Sequence, residues 1–525
     1  MKWFLLHIVF ALALALNSRA AGVAKRVVVV VWDGMRPDFI STEHTPTLAN
    51  LASNGVFFAH HHSVYCTATD VNGTAIATGQ QPQRSGIIAN KIFRPEINPL
   101  KPVFATTNEV IRKGDELTHG NFLLTPTVAE ILQAAGKHTV IAGAKDVATL
   151  HDRRERDDAT HGALLSAGET QPVKLTDDLV AALGKFPKAA VVTNKETNSA
   201  RDEWTTRALV GELWGDELPE FSLLWLSEPD HSQHADGPGS AKALAALESS
   251  DRQLATVLAQ LERRGLRADT DVFIVSDHGF STIAHVVDAA KELQAAGFKA
   301  AREFKQPMQP GEILVAGQGG SVLCFVHGHD AAIAKKLAAF FQQQSFTGVV
   351  FAREKISGTF PLAAGNLASP DAPDIAVSLR WSPEKSKAGV PGTFYSDKAL
   401  TSVADKSRVG AGNHASLSPF DTHNTFVAAG PDFARGLVSE LPSGNTDLAP
   451  TILWLLGVPP AVPMDGRVLS EALVAKNAPR AAKLVTKRLE ATQKFPSGTW
   501  SQYLQTSRVG KTVYLDEGNG AFAEK

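Results

Sequence analysis

Three aspartates stand where short apolar runs stop. Asp33 closes VVVVVWD (27–33), Asp230 follows FSLLWLSEP (221–229), and Asp277 follows DVFIVS (271–276). Histidines lie close behind them. His234 comes four residues after Asp230, and His278 directly follows Asp277. His414 sits in Gly412-Asn413-His414 just before a returning apolar run, and His423 lies nine residues further on. Oxygen and imidazole donors without a thiolate cluster suit zinc, and suit manganese or iron less well. The donors are numerous enough for two ions. Two ions a few Å apart can clamp both the entering and the leaving oxygen of an in-line displacement at phosphorus. Taken singly, any of these residues can be a turn residue or a satisfied polar contact. The repetition of one arrangement at three run ends points to a shared metal site.

A nucleophile is available in CTATDVNGTAIATGQQPQRSGIIAN (66–90). Thr69 follows a short polar lead-in and precedes small residues and helix formers, which predicts a strand-to-helix turn with Thr69 near the helix start. Backbone N–H groups are unpaired there and the helix dipole favours negative charge. A phosphate or a developing alkoxide is held well at such a place. The plainer reading is that Thr69 is only an N-cap.

The elements that must position these residues read as an α/β fold with a mostly parallel central sheet flanked by helices. Five consecutive valines (27–31) without alternation predict a strand buried on both faces. Strands are also predicted at 138–145, 221–227, 271–276 and 425–429. Helices are predicted at 45–55, 125–136, 241–264 and 447–456. In open α/β sheets, sites form outside the carboxyl ends of the strands, which is where Asp33, Asp230 and Asp277 fall. Between 281 and 407 the pattern loosens into a smaller α+β insertion, with strands at 321–326, 348–352 and 375–379 and a helix at 331–343. The core is thus expected in two parts, 21–280 and 408–476. The tail, 477–525, reads as polar and helix-prone at first, with no assigned role.

The 525 residues, 44% hydrophobic and 20% charged, predict an ordinary globular core. A net charge of −2 gives no electrostatic case for a nucleic-acid polymer or an anionic membrane. Lys2, an apolar run at 3–16 and small residues Ser18 and Ala20 predict a secretory signal peptide over 1–20. The expected location is periplasmic or secreted, with no membrane span once the signal is removed. Two cysteines, Cys66 and Cys324, allow at most one disulfide.

At these residues the chain resembles the alkaline phosphatase superfamily, and within it the type I phosphodiesterase/nucleotide pyrophosphatase branch. The pieces that carry the resemblance are VVVVVWDG (27–34), TDVNGTAIATG (69–79), SGIIANKIF (85–93), EPDHSQHADGP (228–238), IVSDHGF (274–280), GNHASLSPFDTHNTFVAAGPDF (412–433) and DLAPTILWLLGVP (447–459). They extend over roughly 27–473. The resemblance implies two zinc ions. Asp33, Asp277, His278 and the Thr69 oxygen would hold one, and Asp230, His234 and His414 the other. Thr69 would attack phosphorus to give a phosphothreonine. Asn90 would donate to a non-bridging phosphate oxygen. The implied substrate is a small phosphate ester, a diester or nucleotide pyrophosphate ahead of a monoester.

Three departures from the family pattern bear on this. Ala415 stands where relatives have glycine after the metal histidine; His423 remains the rival ligand, read as second to His414. Some threonine-dependent monoesterases of the superfamily carry a Lys and an Arg two residues apart facing the terminal phosphate oxygens. Lys145 matches the first, but Val147 stands in the second place. Lys145 is then either half of a monoester device or a solvated lysine at a strand end. Cys66-Thr67-Ala68 does not fit the Cys-x-Pro of the sulfatase branch. Besides hydrolysis, the same fold allows a non-catalytic binding protein or a transferase passing a phospho-group to an acceptor other than water.

Overall fold

The valines of the first strand, Arg26–Trp32, divide between two cores. Val27, Val29 and Val31 point into one apolar cluster, and Val28, Val30 and Trp32 into another. Successive side chains leave a strand on opposite faces, so a continuous apolar run is what a strand covered on both sides needs. The computed structural model describes residues 22–190, 196–398, 408–475 and 483–525. The expected signal peptide, 1–20, lies outside the described residues.

Arg26–Trp32 is central in a nine-stranded sheet. On one side it pairs in parallel with Thr270–Val275, and on the other with Phe221–Leu226, which is followed in parallel by Thr139–Gly143 and Gly162–Ser166. Phe426–Ala429 and Glu169–Gln171 run antiparallel to their neighbours. Val56–Phe58 and Leu437–Ser439 complete the far edge. The fold is therefore α/β with a mostly parallel sheet, as the sequence predicts. The predicted helices also form, shortened at their ends, as Pro46–Asn54, Val128–Ala134, Ala241–Arg263 and Leu448–Leu455. Thr127 and Glu130 close a capping box at the second of these.

The stretch after Phe280 builds two further sheets. Six strands, among them Ser321–Val326, Thr347–Ala352 and Ile375–Leu379, form one, with Ala331–Phe341 helical against it. In the other, Ser281–Val287 pairs in parallel with Pro391–Asp397 and antiparallel with Gly412–Asn413. That last pairing returns the chain from the insertion to the main sheet, with Asn413 opposite Ser281. Both cysteines are buried and unpaired.

The tail differs from the sequence reading. It is not helical among the described residues: Leu484–Phe495, Gly498–Val509 and Thr512–Glu524 form a three-stranded antiparallel sheet. Packing overrides local propensity there. Gln502 exchanges both of its amide bonds with the backbone of Val350 at 2.7 and 3.2 Å. The Trp500 ring is buried against the six-stranded sheet, and Tyr514 donates to Asp447 at 2.7 Å.

Among the buried carboxyls whose pKa is raised, Asp271 ties stability to pH. Asp271, beside Asp432, is pushed up to about 8, by burial first and by the Asp432 charge second. In the unfolded chain it titrates near about 3.9. The folded state thus keeps a proton that the unfolded state has released between about pH 4 and 8. Its stabilising effect is complete below that window and is lost as pH rises through it, at up to ~1.4 kcal/mol per pH unit. Asp271→Asn removes the share of this slope that Asp271 contributes. In urea unfolding across about pH 5 to 8, the variant is expected to gain on the wild type at each step upward; parallel curves would contradict the assignment.

Candidate active site

Parallel pairing in register sets the site. Val31 lies opposite Val275, Trp32 opposite Leu226, and Gly143 opposite Trp225. The residues just past these four ends, Asp277, Asp33, Asp230 and Lys145, therefore line up along one edge of the sheet. Adjacent strands lie about 4.8 Å apart, which brings their ends within reach of one another.

Backbone bonds stitch the ends together. Asp230 N–H donates to the Asp33 carbonyl, and Gly34 N–H to Asp277 Oδ1, both at 2.9 Å. Gly34 turns with φ +75°, and a Cβ there would meet the Phe280 ring and the Asp230 Cα at 3.0 and 3.1 Å. Glycine is thus required at that turn. Beneath Asp230, two buried acids hold the loop. Asp202 accepts from Ser227 N–H and Oγ and from Glu228 N–H, while Glu228 accepts from Asn198 and Ser232.

Two compact donor groups result, Asp33–Asp277–His278 and Asp230–His234–His414, all buried. His278 Nε2 lies 3.7 Å from Asp33 Oδ1 and 3.3 Å from Asp277 Oδ2. His234 and His414 place Nε2 at 3.2 and 3.6 Å from Asp230 Oδ1. The His278 and His414 rings stack at 3.7 Å, which joins the two groups into one site. Each of the three histidines turns its Nδ1 to a backbone carbonyl: Gly412 for His234, Gly279 for His278, Thr67 for His414. A carbonyl only accepts, so Nδ1 carries the proton. In the neutral ring Nε2 is then a lone pair aimed into the site. Burial and the neighbouring His278 and His234 hold His414 well below the usual imidazole range, hence neutral.

These residues fit divalent cations. Asp33 Oδ1, Asp230 Oδ1 and Asp277 Oδ2 are buried and have no hydrogen-bond partner among the described residues. Burial and the Asp277 charge raise Asp33 well above the carboxylate range even though Lys145 opposes them, the mark of crowded anions only partly compensated. Asp230 is held low: burial opposes ionisation, but the Lys145 ammonium outweighs it.

Thr69 begins the helix Thr69–Thr78, whose N-cap is Ala68. The plainer reading of Thr69 as a cap therefore fails, and its hydroxyl is left for the site. Its Oγ1 lies 3.2 Å from His278 Nε2. Asn90 accepts the Asp70 N–H at 2.9 Å, which fixes its amide oxygen on the helix and leaves Nδ2 as a donor. Lys145 is not a solvated strand-end lysine. Its Nζ bonds Asp33 and Asp230 at 2.8 and 3.0 Å, and these charges keep it protonated against burial. His423 lies apart from both donor groups, packed edge-on against His62 at 4.5 Å. Ala415 takes φ +78°, the left-handed conformation that favours glycine, so the chain keeps the backbone shape its sequence departs from.

A cavity of about 250 Å³ opens over Thr69 and the Asp230–His234–His414 group, lined also by Asn90 and Lys145. Asp70 and Arg201 also line it, and the sequence reading singled out neither. Asp70 lay inside the recognised stretch beside Thr69. Arg201 lies on a separate helix, Ser199–Arg207, with no motif to mark it.

Fold and site together define a member of the alkaline phosphatase-like metal-dependent α/β proteins. More narrowly, the family model "Type I phosphodiesterase / nucleotide pyrophosphatase" matches residues 27–374, and the chain belongs to that family. It is 26% identical to a venom phosphodiesterase of Macrovipera lebetinus over 262 residues, 48% of this chain and 25% of the relative. It is 24% identical to ectonucleotide pyrophosphatase/phosphodiesterase family member 1 of Mus musculus, over 47% of this chain and 23% of the relative. The match thus spans about a quarter of the length of these relatives. The fold is shared with murine ectonucleotide pyrophosphatase/phosphodiesterase 5, solved as an inactive variant with AMP. That likeness has a TM-score of 0.59 and 18% identity, over 85% of this chain and 99% of the other.

The donor groups make a direct expectation. By equilibrium dialysis against a divalent cation such as zinc, the wild type is expected to bind two ions per chain, and Asp277→Ala to bind one fewer. An unchanged stoichiometry would remove Asp277 from the ligand set.

Proposed function

We propose that the chain is an exported phosphoesterase that cleaves phosphodiester or nucleotide pyrophosphate bonds through a phosphothreonine at Thr69. The observation that carries this reading is the place of Thr69 Oγ1: at a helix N-terminus, 3.2 Å from His278 Nε2 of one donor group, in a cavity lined also by Asp230, His234 and His414 of the other. Asp33, Asp277 and His278, with the Thr69 oxygen, would hold one zinc ion, and Asp230, His234 and His414 the other. Oxygen and neutral imidazole donors suit that metal. Bound there, the two ions would neutralise charge on the phosphate oxygens and favour the ionised threonine.

The chain's own residues do the rest. Asn90 Nδ2 and the unpaired N–H groups of the helix start orient the phosphate and stabilise the charge that develops on it. Thr69 Oγ1 forms a bond to phosphorus as the bond to the leaving oxygen breaks, and the leaving group takes up a proton. Water then attacks the phosphothreonine; its hydroxide goes to phosphorus, and Thr69 regains a proton. Family membership and the names of the relatives support this substrate class. Export is supported by the sequence of 1–20 and by relatives named as venom proteins. Lys145 is the basis for the monoesterase alternative. Its ammonium is committed to Asp33 and Asp230, which favours the diester reading.

Turnover of an aryl phosphodiester by the zinc-loaded protein tests the proposal. Chelator-stripped protein is expected to recover activity on addition of zinc. Thr69→Ala is expected to abolish turnover with metal content unchanged, and Asn90→Ala to lower it roughly 10²-fold, as for an oxyanion-type donor. Activity of Thr69→Ala within a few-fold of wild type would sink the nucleophile assignment.

A further inference from the structure

Arg201 is the cation of this cavity that the mechanism leaves unused. It lines the cavity together with Thr69, Asn90, Lys145, Asp146 and Val147. Its guanidinium lies over the Phe186 ring at 4.6 Å, and Phe186 is itself packed edge-on against Trp204 at 5.2 Å. An arginine laid on an aromatic face is held flat and pre-oriented, so little freedom is lost when it binds an anion. Its Nε is buried and has no hydrogen-bond partner among the described residues.

The carboxylates that attract Arg201 are Asp146 and Asp202. Asp202 is fully engaged by the Ser227 and Glu228 donors, and neither acid approaches Arg201 as Asp33 and Asp230 approach Lys145. The two cations therefore differ. The charge of Lys145 is already offset by the acids it bridges, while Arg201 offers the cavity a forked donor without a matching carboxylate. A guanidinium so placed fits phosphate oxygens, which it can take two at a time.

We propose that Arg201 sets substrate preference in this cavity by binding anionic phosphate oxygen beyond what a simple diester presents. That oxygen belongs either to the terminal dianion of a monoester or to the neighbouring phosphate of a nucleotide pyrophosphate. Arg201 would thus supply, from a separate helix, the second cation that Val147 cannot. The proposal rests on the hydrolase reading for its kinetic test, and its binding test stands apart from that reading.

The kinetic test compares wild type, Arg201→Gln and Arg201→Lys on bis-nitrophenyl phosphate, nitrophenyl phosphate and a dinucleotide pyrophosphate. In Arg201→Gln the ratio of kcat/KM for the charged substrate over the diester is expected to fall by about 30-fold, the usual scale for a charge-assisted bond. Arg201→Lys should retain part of the ratio. A fall on the monoester assigns the oxygen to a terminal dianion, and a fall on the pyrophosphate to the neighbouring phosphate. Equal losses on all three substrates, or an unchanged ratio, would overturn the proposal. The binding test titrates inorganic phosphate into zinc-loaded wild type and Arg201→Gln by calorimetry. Affinity should weaken by about 10-fold or more, and an equal Kd would overturn the proposal. If wild type hydrolyses nothing but Arg201→Gln still weakens phosphate binding, the hydrolase reading falls and the role of Arg201 stands.

Discussion

Asp33, Asp230 and Asp277 are carboxylates buried at the ends of three neighbouring parallel strands, and parallel register leaves them no way apart. Like charges so close, away from water, cannot all stay ionised without compensation. The structure answers in part with Lys145, whose amine bridges Asp33 and Asp230. The three imidazoles offer the carboxylates no such compensation, because their proton-bearing nitrogens all turn outward to backbone carbonyls. What remains facing inward is oxygen and nitrogen lone pairs. The site is thus a set of donors shaped for cations, and the surrounding fold holds that set in place.

Much of the molecule serves this placement. The valine-rich strand fills two apolar cores, so the Asp33 end cannot shift without disrupting both. The Asp202–Glu228 pair fixes the loop of Asp230 from below. The insertion is part of the same device. Its strand Ser281–Val287 receives Gly412–Asn413, and that pairing carries His414 to the other donor residues from far along the chain. The tail's sheet closes over the region through Tyr514 and Asp447 and through Thr422 and Asp516.

The core and the acids were legible in sequence because both depend on short-range signals. A β-branched run marks a strand buried on both faces, and an Asp after it marks a strand end. The Thr69 helix was legible for the same reason, although only the structure shows that Ala68 takes the cap and leaves the Thr69 hydroxyl to the site. Arg201 was not legible. It reaches the cavity from a helix with no motif of its own, and the Phe186 ring that holds it lies at a distance that only folding closes. The tail misled because Leu484–Phe495 carries helix formers such as Leu, Lys, Arg, Glu and Ala. Its strand state comes from long pairing with Gly498–Val509, whose Gln502 and Trp500 pack on the insertion. The Ala415 departure looked like a doubt about His414; the backbone holds the glycine conformation there regardless.

The two donor groups are read as one metal site built around Thr69. Anomalous diffraction from zinc-soaked crystals at the zinc edge tests it most directly. One peak is expected among Asp33, Asp277, His278 and the Thr69 oxygen, and a second among Asp230, His234 and His414, with Lys145 drawn off the two aspartates. Peaks elsewhere, or none at these residues under full zinc loading, would contradict it.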